Sequence, residues 1–254
     1  MKPHILCDFD GTIVPEDVTD ALLERFARPE WRHLEQEWRA GRIGSLACMQ
    51  AQIALLQVSP AELDHYLDQV AIDPDFVPFV QQVRRLGWKL TVVSDGIDYV
   101  IHRILARHGL DYLPVFANHL ARLHHGGYHL SFPHSNPACL SAAGTCKCRF
   151  AEPAFTGGSP CLLIGDGNSD RCVAAAVPLV WAKEGLLHHC RQQGLPHWPC
   201  RHFRDALAYL DAPSVVAQLL AILEGSLAEE MPALYSAMSV EAPTPMFPHW
   251  RAQE

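Results

Sequence analysis

Short, nearly continuous apolar runs recur along the chain, and each ends in small polar residues. His4-Ile5-Leu6-Cys7 leads into Asp8-Phe9-Asp10-Gly11-Thr12, and Lys89-Leu90-Thr91-Val92-Val93 leads into Ser94-Asp95-Gly96. Cys161-Leu162-Leu163-Ile164 leads into Gly165-Asp166-Gly167-Asn168-Ser169-Asp170. Runs of this length, bounded by Gly and polar residues, read as buried strands. Leu179-Val180-Trp181 reads as a further strand, and Val115–Leu123 with Tyr128–Phe132 as a hairpin turning at His124-His125-Gly126-Gly127.

Between the runs the apolar spacing is helical. Val18, Leu22, Leu23 and Phe26 share one helix face, and a helix is expected from about Pro29-Glu30-Trp31. Another runs from Ser45 to Leu56, and Ser59-Pro60-Ala61-Glu62 carries a cap, a first-position Pro and an acid in the first turn. Helices are also expected at Asp75–Leu86, Ile97–His108, Asp170–Ala176, Gly185–Gln193, Arg204–Leu210 and Val215–Leu223, with 133–147 a loop. Strands alternating with helices imply an α/β fold, a doubly wound parallel sheet of Rossmann-like form. Nothing between 15 and 83 alternates with period two, so that stretch reads as a small helical cap inserted after the first strand. The core is then 1–14 and 84–225, and 226–254 is a Pro-rich tail, flexible or partner-bound.

Composition narrows the class. The chain has 254 residues, 49% hydrophobic and 19% charged, enough for a sizeable core. A net charge of −8 gives no footprint for nucleic acid or an anionic membrane. No apolar stretch approaches the ~18 residues of a membrane span, and Met1-Lys2-Pro3-His4 lacks a signal-peptide pattern. Nine cysteines, an odd number with Cys7, Cys161 and Cys172 in apparent core segments, fit reduced thiols and a cytoplasmic protein.

The chemistry concentrates at strand ends. Asp8 and Asp10, spaced i, i+2, fall on one face of an extended chain. In a parallel sheet, Asp8, Asp10, Thr12, Ser94, Asp166 and Asp170 converge on one edge although 160 positions apart in sequence. Like charges that close require a cation or a shared proton. Such a cluster suits phosphoryl transfer: a carboxylate nucleophile, hard oxygens for Mg²⁺, and a hydroxyl and a Lys for the phosphoryl oxygens.

Asp8-Phe9-Asp10-Gly11-Thr12, Val93-Ser94-Asp95-Gly96, Lys147 and Gly165–Asp170 together resemble the four ordered motifs of the haloacid dehalogenase superfamily, over roughly residues 4–225. The resemblance implies that Asp8 is the nucleophile and Asp10 the general acid and base, with Thr12 orienting Asp10. It implies that Ser94 and Lys147 bind the phosphoryl oxygens, within a phosphate-binding set that includes Thr12, Asp95 and Gly96. Asp8, the Asp10 carbonyl and Asp166 would hold Mg²⁺, Asp170 would support Lys147 or a metal-bound water, and Asp17 would support substrate binding. An acid two residues after the nucleophile favours phosphatases over dehalogenases within this superfamily.

A helical cap in this position resembles the phosphoserine phosphatase-like branch. Phosphoserine phosphatases typically carry an Arg in the cap, yet no Lys or Arg occurs from Ile43 to Val83. A substrate carboxylate would lack its bidentate partner. Ile5–Ile13, Phe26–Trp31, Asn118-His119, Phe132–Ser135 and the Cys-rich approach to Lys147 are more similar to the 2-hydroxy-3-keto-5-methylthiopentenyl-1-phosphate phosphatases of methionine salvage. Leu46, Met49, Ile53, Leu55 and Leu56 would either line a cap pocket for a thioether or form the bundle's own core. Trp31 is read as a packing anchor rather than a pocket wall.

The expected partner is therefore a small phosphorylated metabolite, with no nucleic acid and no membrane, and a homodimer left open. The alternatives are a phosphoserine or other small-metabolite phosphatase, or a catalytically weak binding or regulatory protein of the same fold. His134, Cys139, Cys146 and Cys148 lack paired Cys-x₂-Cys spacing and are read as loop residues beside Lys147 rather than a zinc site.

Overall fold

The computed structural model describes residues 2–225 except His125; the expected tail at 226–254 lies outside the described residues. Strand β1 (His4–Cys7) is followed by α1 (Val18–Phe26), α2 (Trp31–Arg39), α3 (Ser45–Ile53), α4 (Pro60–Leu67) and α5 (Phe76–Arg85). Then come β2 (Lys89–Ile97), α6 (Asp98–Arg107), the hairpin β3 (Val115–Arg122) and β4 (Tyr128–Ser131), and two short helices, α7 (Cys148–Ala151) and α8 (Pro153–Thr156). The chain closes with β5 (Cys161–Gly165), α9 (Arg171–Ala174), β6 (Leu179–Ala182), α10 (Glu184–Gln193), β7 (His197–Pro199), α11 (Phe203–Asp211) and α12 (Pro213–Leu223).

The seven strands lie in the order β4-β3-β2-β1-β5-β6-β7, parallel except for the β3–β4 hairpin. β1 sits at the centre with the same register to both neighbours: His4 faces Lys89 and Cys161, and Cys7 faces Val92 and Ile164. The chain fills one side of β1 with β2 and β3, then crosses to the other with β5, and such a switch opens a crevice at the strands' carboxyl ends. Two strand readings change. β1 stops at Cys7, so Asp8–Asp10 leave the strand rather than alternate within it, and β2 runs on through Ser94-Asp95-Gly96 with an irregular register to β3 between Val93 and Ile97. β7 carries no apolar run in the sequence, because it is a three-residue edge strand.

Helices α1 to α4 fill the expected insert. Ser59 and Glu62 form a reciprocal capping box at α4, and Asp17 caps α1 by accepting from the Asp20 N–H. The insert is tied to the sheet layer: the Gln50 amide donates to the Leu130 carbonyl at 3.0 Å, and the Arg107 guanidinium donates to the Leu67 and Val70 carbonyls. α5 packs on α11 instead, with Phe76 edge-on and Phe79 tilted against Phe203, so its first turns, although before residue 84, join the layer over the sheet. Ile53 and Leu56 are buried in the main core, while Cys172, expected inside, is only half-buried. Among the described residues no single helix is long and apolar enough to cross a membrane.

His4 gives the sheet a pH-dependent element. Its Nε2 meets the Thr91 hydroxyl at 2.8 Å and its ring stacks on Phe155; burial, then Lys89, lowers its pKa from 6.5 to about 4. The neutral form is favoured in the fold, so this contribution is complete above pH 6.5 and is lost as pH falls toward 4. His4→Gln should flatten that part of the thermal-unfolding pH profile relative to the unmutated chain; an unchanged profile would contradict the assignment.

Candidate active site

Asp8 follows the last residue of β1, and its N–H donates to the Ile164 carbonyl at 2.9 Å, extending the β1–β5 ladder by one step. The carboxylate is 5% exposed, accepts from the Phe9 N–H at 2.7 Å and lies 2.7 Å from the Lys147 ammonium. Lys147 also donates to Asp170 at 2.6 Å and to the Ser169 hydroxyl at 3.0 Å, so its three donors are all used. The second Asp170 oxygen accepts from the Asp166 and Gly167 N–H groups, both at 3.2 Å. Asp170 thus closes its own turn and holds the lysine ammonium.

Asp10 reaches the same space from the turn beyond β1. Its carboxylate accepts from the Val18 N–H at 2.9 Å, at the start of α1. Gly11 holds φ 68°, a left-handed conformation, and a Cβ there would collide with the Asp166 carboxylate. At Gly96 a Cβ would collide with Asp10, so the backbone passes close to both acids where side chains would block them. Ser94 is buried and accepts from the Gly96 N–H at 3.0 Å.

Two residues sit differently from the motif's implication. The Thr12 hydroxyl donates to Asp166 at 3.1 Å rather than orienting Asp10. The Asp95 carboxylate accepts from the Thr145 N–H at 2.9 Å and the Asn118 amide at 3.1 Å, anchoring the loop that leads to Lys147. Asn118 ties this together: its amide nitrogen also donates to the Asp95 carbonyl at 2.5 Å, and its oxygen accepts from the Thr145 hydroxyl at 3.1 Å. Neither Asn118, Thr145 nor Lys183, whose ammonium donates to the Thr12 carbonyl at 2.8 Å, belongs to the four motifs. A polar residue in the buried part of β3 was the available signal for Asn118.

Electrostatics define what the site lacks. Burial and then Asp170 push Asp8 well above the carboxylate range, and raise Asp166 to about 6. Burial and then Asp17 raise Asp10 to about 8. Burial opposes charge on Lys147, but the Asp170 and Asp8 carboxylates outweigh it and hold the ammonium charged. Lys147, with Lys183 on the far side of Asp166, does not balance these carboxylates, and a divalent cation would relieve the excess. Asp8, Asp166 and Asp170 offer oxygens within 4.8 Å of one another, a hard-donor set suited to such an ion.

The acids open onto a cavity of about 510 Å³ beneath the helical insert. Its upper wall is formed by Asp17, Asp20, Leu23, Glu35, Trp38, Cys48, Met49 and Gln52, and among the described residues no Lys, Arg or His lines it. Of the apolar insert residues considered, Met49 alone reaches the cavity; Trp31 packs against the core instead. Glu35 accepts from the Gln52 amide at 3.2 Å, and Asp20 is raised to about 6 by burial and its acidic neighbours.

The fold and this cluster define a hydrolase of a known kind: residues 5–175 match the model for haloacid dehalogenase-like hydrolases, and the chain belongs to that family. It is 30% identical over 224 residues to the 2-hydroxy-3-keto-5-methylthiopentenyl-1-phosphate phosphatase of Exiguobacterium sp. strain AT1b, covering 85% of this chain and all of that protein. The enzyme of the same name from Geobacillus thermodenitrificans is 29% identical over 217 residues, covering 84% of this chain and 97% of its own. A phosphoserine phosphatase solved as a phospho-aspartyl intermediate analogue superposes with a TM-score of 0.61 at 21% identity, over 82% of this chain and 98% of that one. The chain is a phosphoric monoester hydrolase of this family.

Asn118→Ala should leave Asp95 and Thr145 short of partners in a buried network. That costs about 1–3 kcal/mol of stability and lowers turnover by loosening the Lys147 loop. Thermal unfolding and kcat read the two effects, and a variant unchanged in both would remove Asn118 from the site's framework.

Proposed function

We propose that the chain removes phosphate from 2-hydroxy-3-keto-5-methylthiopentenyl-1-phosphate through an aspartyl-phosphate on Asp8. The observation that carries the chemistry is the buried Asp8 carboxylate held 2.7 Å from Lys147 at the floor of a cavity. Asp8 attacks phosphorus in line with the ester oxygen. Lys147, Ser94 and the neighbouring backbone N–H groups receive the phosphoryl oxygens. Asp10, kept protonated by its surroundings, gives its proton to the departing oxygen and then accepts one from the water that opens the aspartyl-phosphate.

Mg²⁺ is the metal expected, bound by Asp8, Asp166 and the Asp10 carbonyl, where it would neutralise phosphoryl charge. Asp170 is the weaker ligand of the oxygen set, since its oxygens are committed to Lys147 and to two backbone N–H groups. Thr12 orients Asp166, and Asp95 supports the phosphate site through its loop. Residues 15–83, apart from the α5 turns, act as the cap that shapes the substrate end.

The substrate assignment rests on the relatives and on the cap wall. A lining of acids, amide and thioether, with Arg39 engaged by Glu35 behind it at 2.9 Å, suits a substrate whose only anion is its phosphate. A phosphoserine carboxylate would meet Asp17, Asp20 or Glu35 instead of an Arg.

Asp8→Asn should lower kcat by about 10⁴–10⁶-fold with the fold intact by circular dichroism; retained turnover would rule out the covalent route. Chelation should abolish hydrolysis and Mg²⁺ restore it, whereas activity surviving chelation would remove the metal from the proposal. In a panel of phosphate esters, kcat/KM for phosphoserine should fall at least about 10²-fold below the enol-phosphate. Phosphoserine as the best substrate would overturn the reading of the cap.

A further inference from the structure

The segments that carry Lys147 and Asp170 also carry thiols that phosphoryl transfer does not use. Cys148 follows Lys147 directly and opens α7, while Cys172 lies two residues beyond Asp170 in α9. Their sulfurs are 3.0 Å apart, and the two helices pack together. Both residues are half-buried, unlike the buried Cys7, Cys161, Cys190 and Cys200.

A disulfide needs its sulfurs ~2.05 Å apart, so closing this contact asks for a shift of only about 1 Å between the two segments. A thiolate metal site is the competing use, since Cys139 hydrogen-bonds Cys146 on the same loop. Among the described residues, however, the groups of Cys, His and acids close enough to share an ion reduce to Asp8, Asp166 and Asp170.

We propose that Cys148 and Cys172 form a redox-modification site, closing reversibly to a disulfide that throttles the phosphatase. A hydroperoxide supplies the oxidant: one thiol is oxidised to sulfenic acid as the O–O bond is cleaved and an alcohol or water leaves. The second sulfur attacks the first, the S–S bond forms, and the sulfenic oxygen departs as water. The bond joins the two backbone segments whose side chains make the 2.6 Å Lys147–Asp170 pair. A displacement of about 1 Å there lowers turnover on the order of 10–100-fold. The loss of turnover rests on the function proposed above; formation of the bond does not.

The test treats the full chain with hydrogen peroxide, counts thiols, maps cross-linked peptides and follows Mg²⁺-supported hydrolysis of an aryl phosphate before and after a dithiol reductant. The expected result is loss of two of the nine thiols, a peptide pair joining Cys148 to Cys172, and 10–100-fold lower turnover that the reductant restores. Cys172→Ser, at the half-exposed position, should keep basal turnover and lose its peroxide response. All nine thiols surviving, a bridge at Cys139–Cys146, or stoichiometric zinc released by thiol titration would each overturn the site. A mapped bridge with unaltered turnover would overturn the control of activity. Reduced protein without any hydrolytic activity would sink the functional reading while leaving the cross-link result to stand or fall alone.

Discussion

The site depends on one ammonium placed between two buried carboxylates. Lys147 is 2% exposed and lies within 2.7 Å of both Asp8 and Asp170. Taking any of the three charges alone into the interior costs several kcal/mol or more, so each is tenable only while the others hold position. Asp8 is fixed by β1 and its backbone bond to Ile164, and Asp170 by the turn it closes at the end of β5. Lys147 has no strand behind it. Its loop is held instead by Asp95, Asn118 and Thr145, a polar network that spans β2, β3 and the loop. The arrangement leaves excess negative charge over Asp8 and Asp166, and that imbalance is what suits the cluster to a cation.

The helical insert follows a different logic. Its apolar residues, Leu22, Leu23, Ile53, Leu56, Leu63 and Leu67, are consumed in the core that seats it on the sheet layer. The surface it turns to the acids is accordingly polar, with Met49 and Trp38 as its apolar patches. An insert this short cannot spare a fully apolar face for a ligand without giving up the face that anchors it. Discrimination therefore falls to the charge of the wall, and a wall of acids disfavours a second anion.

Much of the fold was legible because its strands are buried on both faces, which forces continuous apolar runs, and because the helices carry strong caps such as Ser59 with Glu62. The edge strand β7 and the short helices α7 and α8 were not legible, since three- and four-residue elements owe their form to neighbours rather than to a periodic pattern. Among the site residues, Asp8, Asp10, Lys147, Asp166 and Asp170 were readable as motifs; in the structure Asp8, Asp10 and Asp166 line one cavity, and Lys147 pairs with Asp8 and with the buried Asp170 beside it. The partners of Thr12 and Asp95 were not. A hydroxyl or a carboxylate in a tight turn has several acceptors and donors within one bond rotation of each other, and which it takes depends on segments over 20 to 150 residues away.

By itself, then, the chain's sequence determined the chemical inventory. It set the acids that end the strands, the lysine of the third motif, the glycine that must turn at Gly11, and a cap stretch, 43–83, without Lys or Arg. Those follow from local pattern and composition, which act over a few residues. Only the tertiary structure decided that Asn118 and Thr145 carry the Lys147 loop, that Thr12 serves Asp166, and that Cys148 lies against Cys172. Each of those is a pairing across separate strands or helices. A pairing of that kind is settled by sheet register and packing, which no stretch of sequence encodes alone.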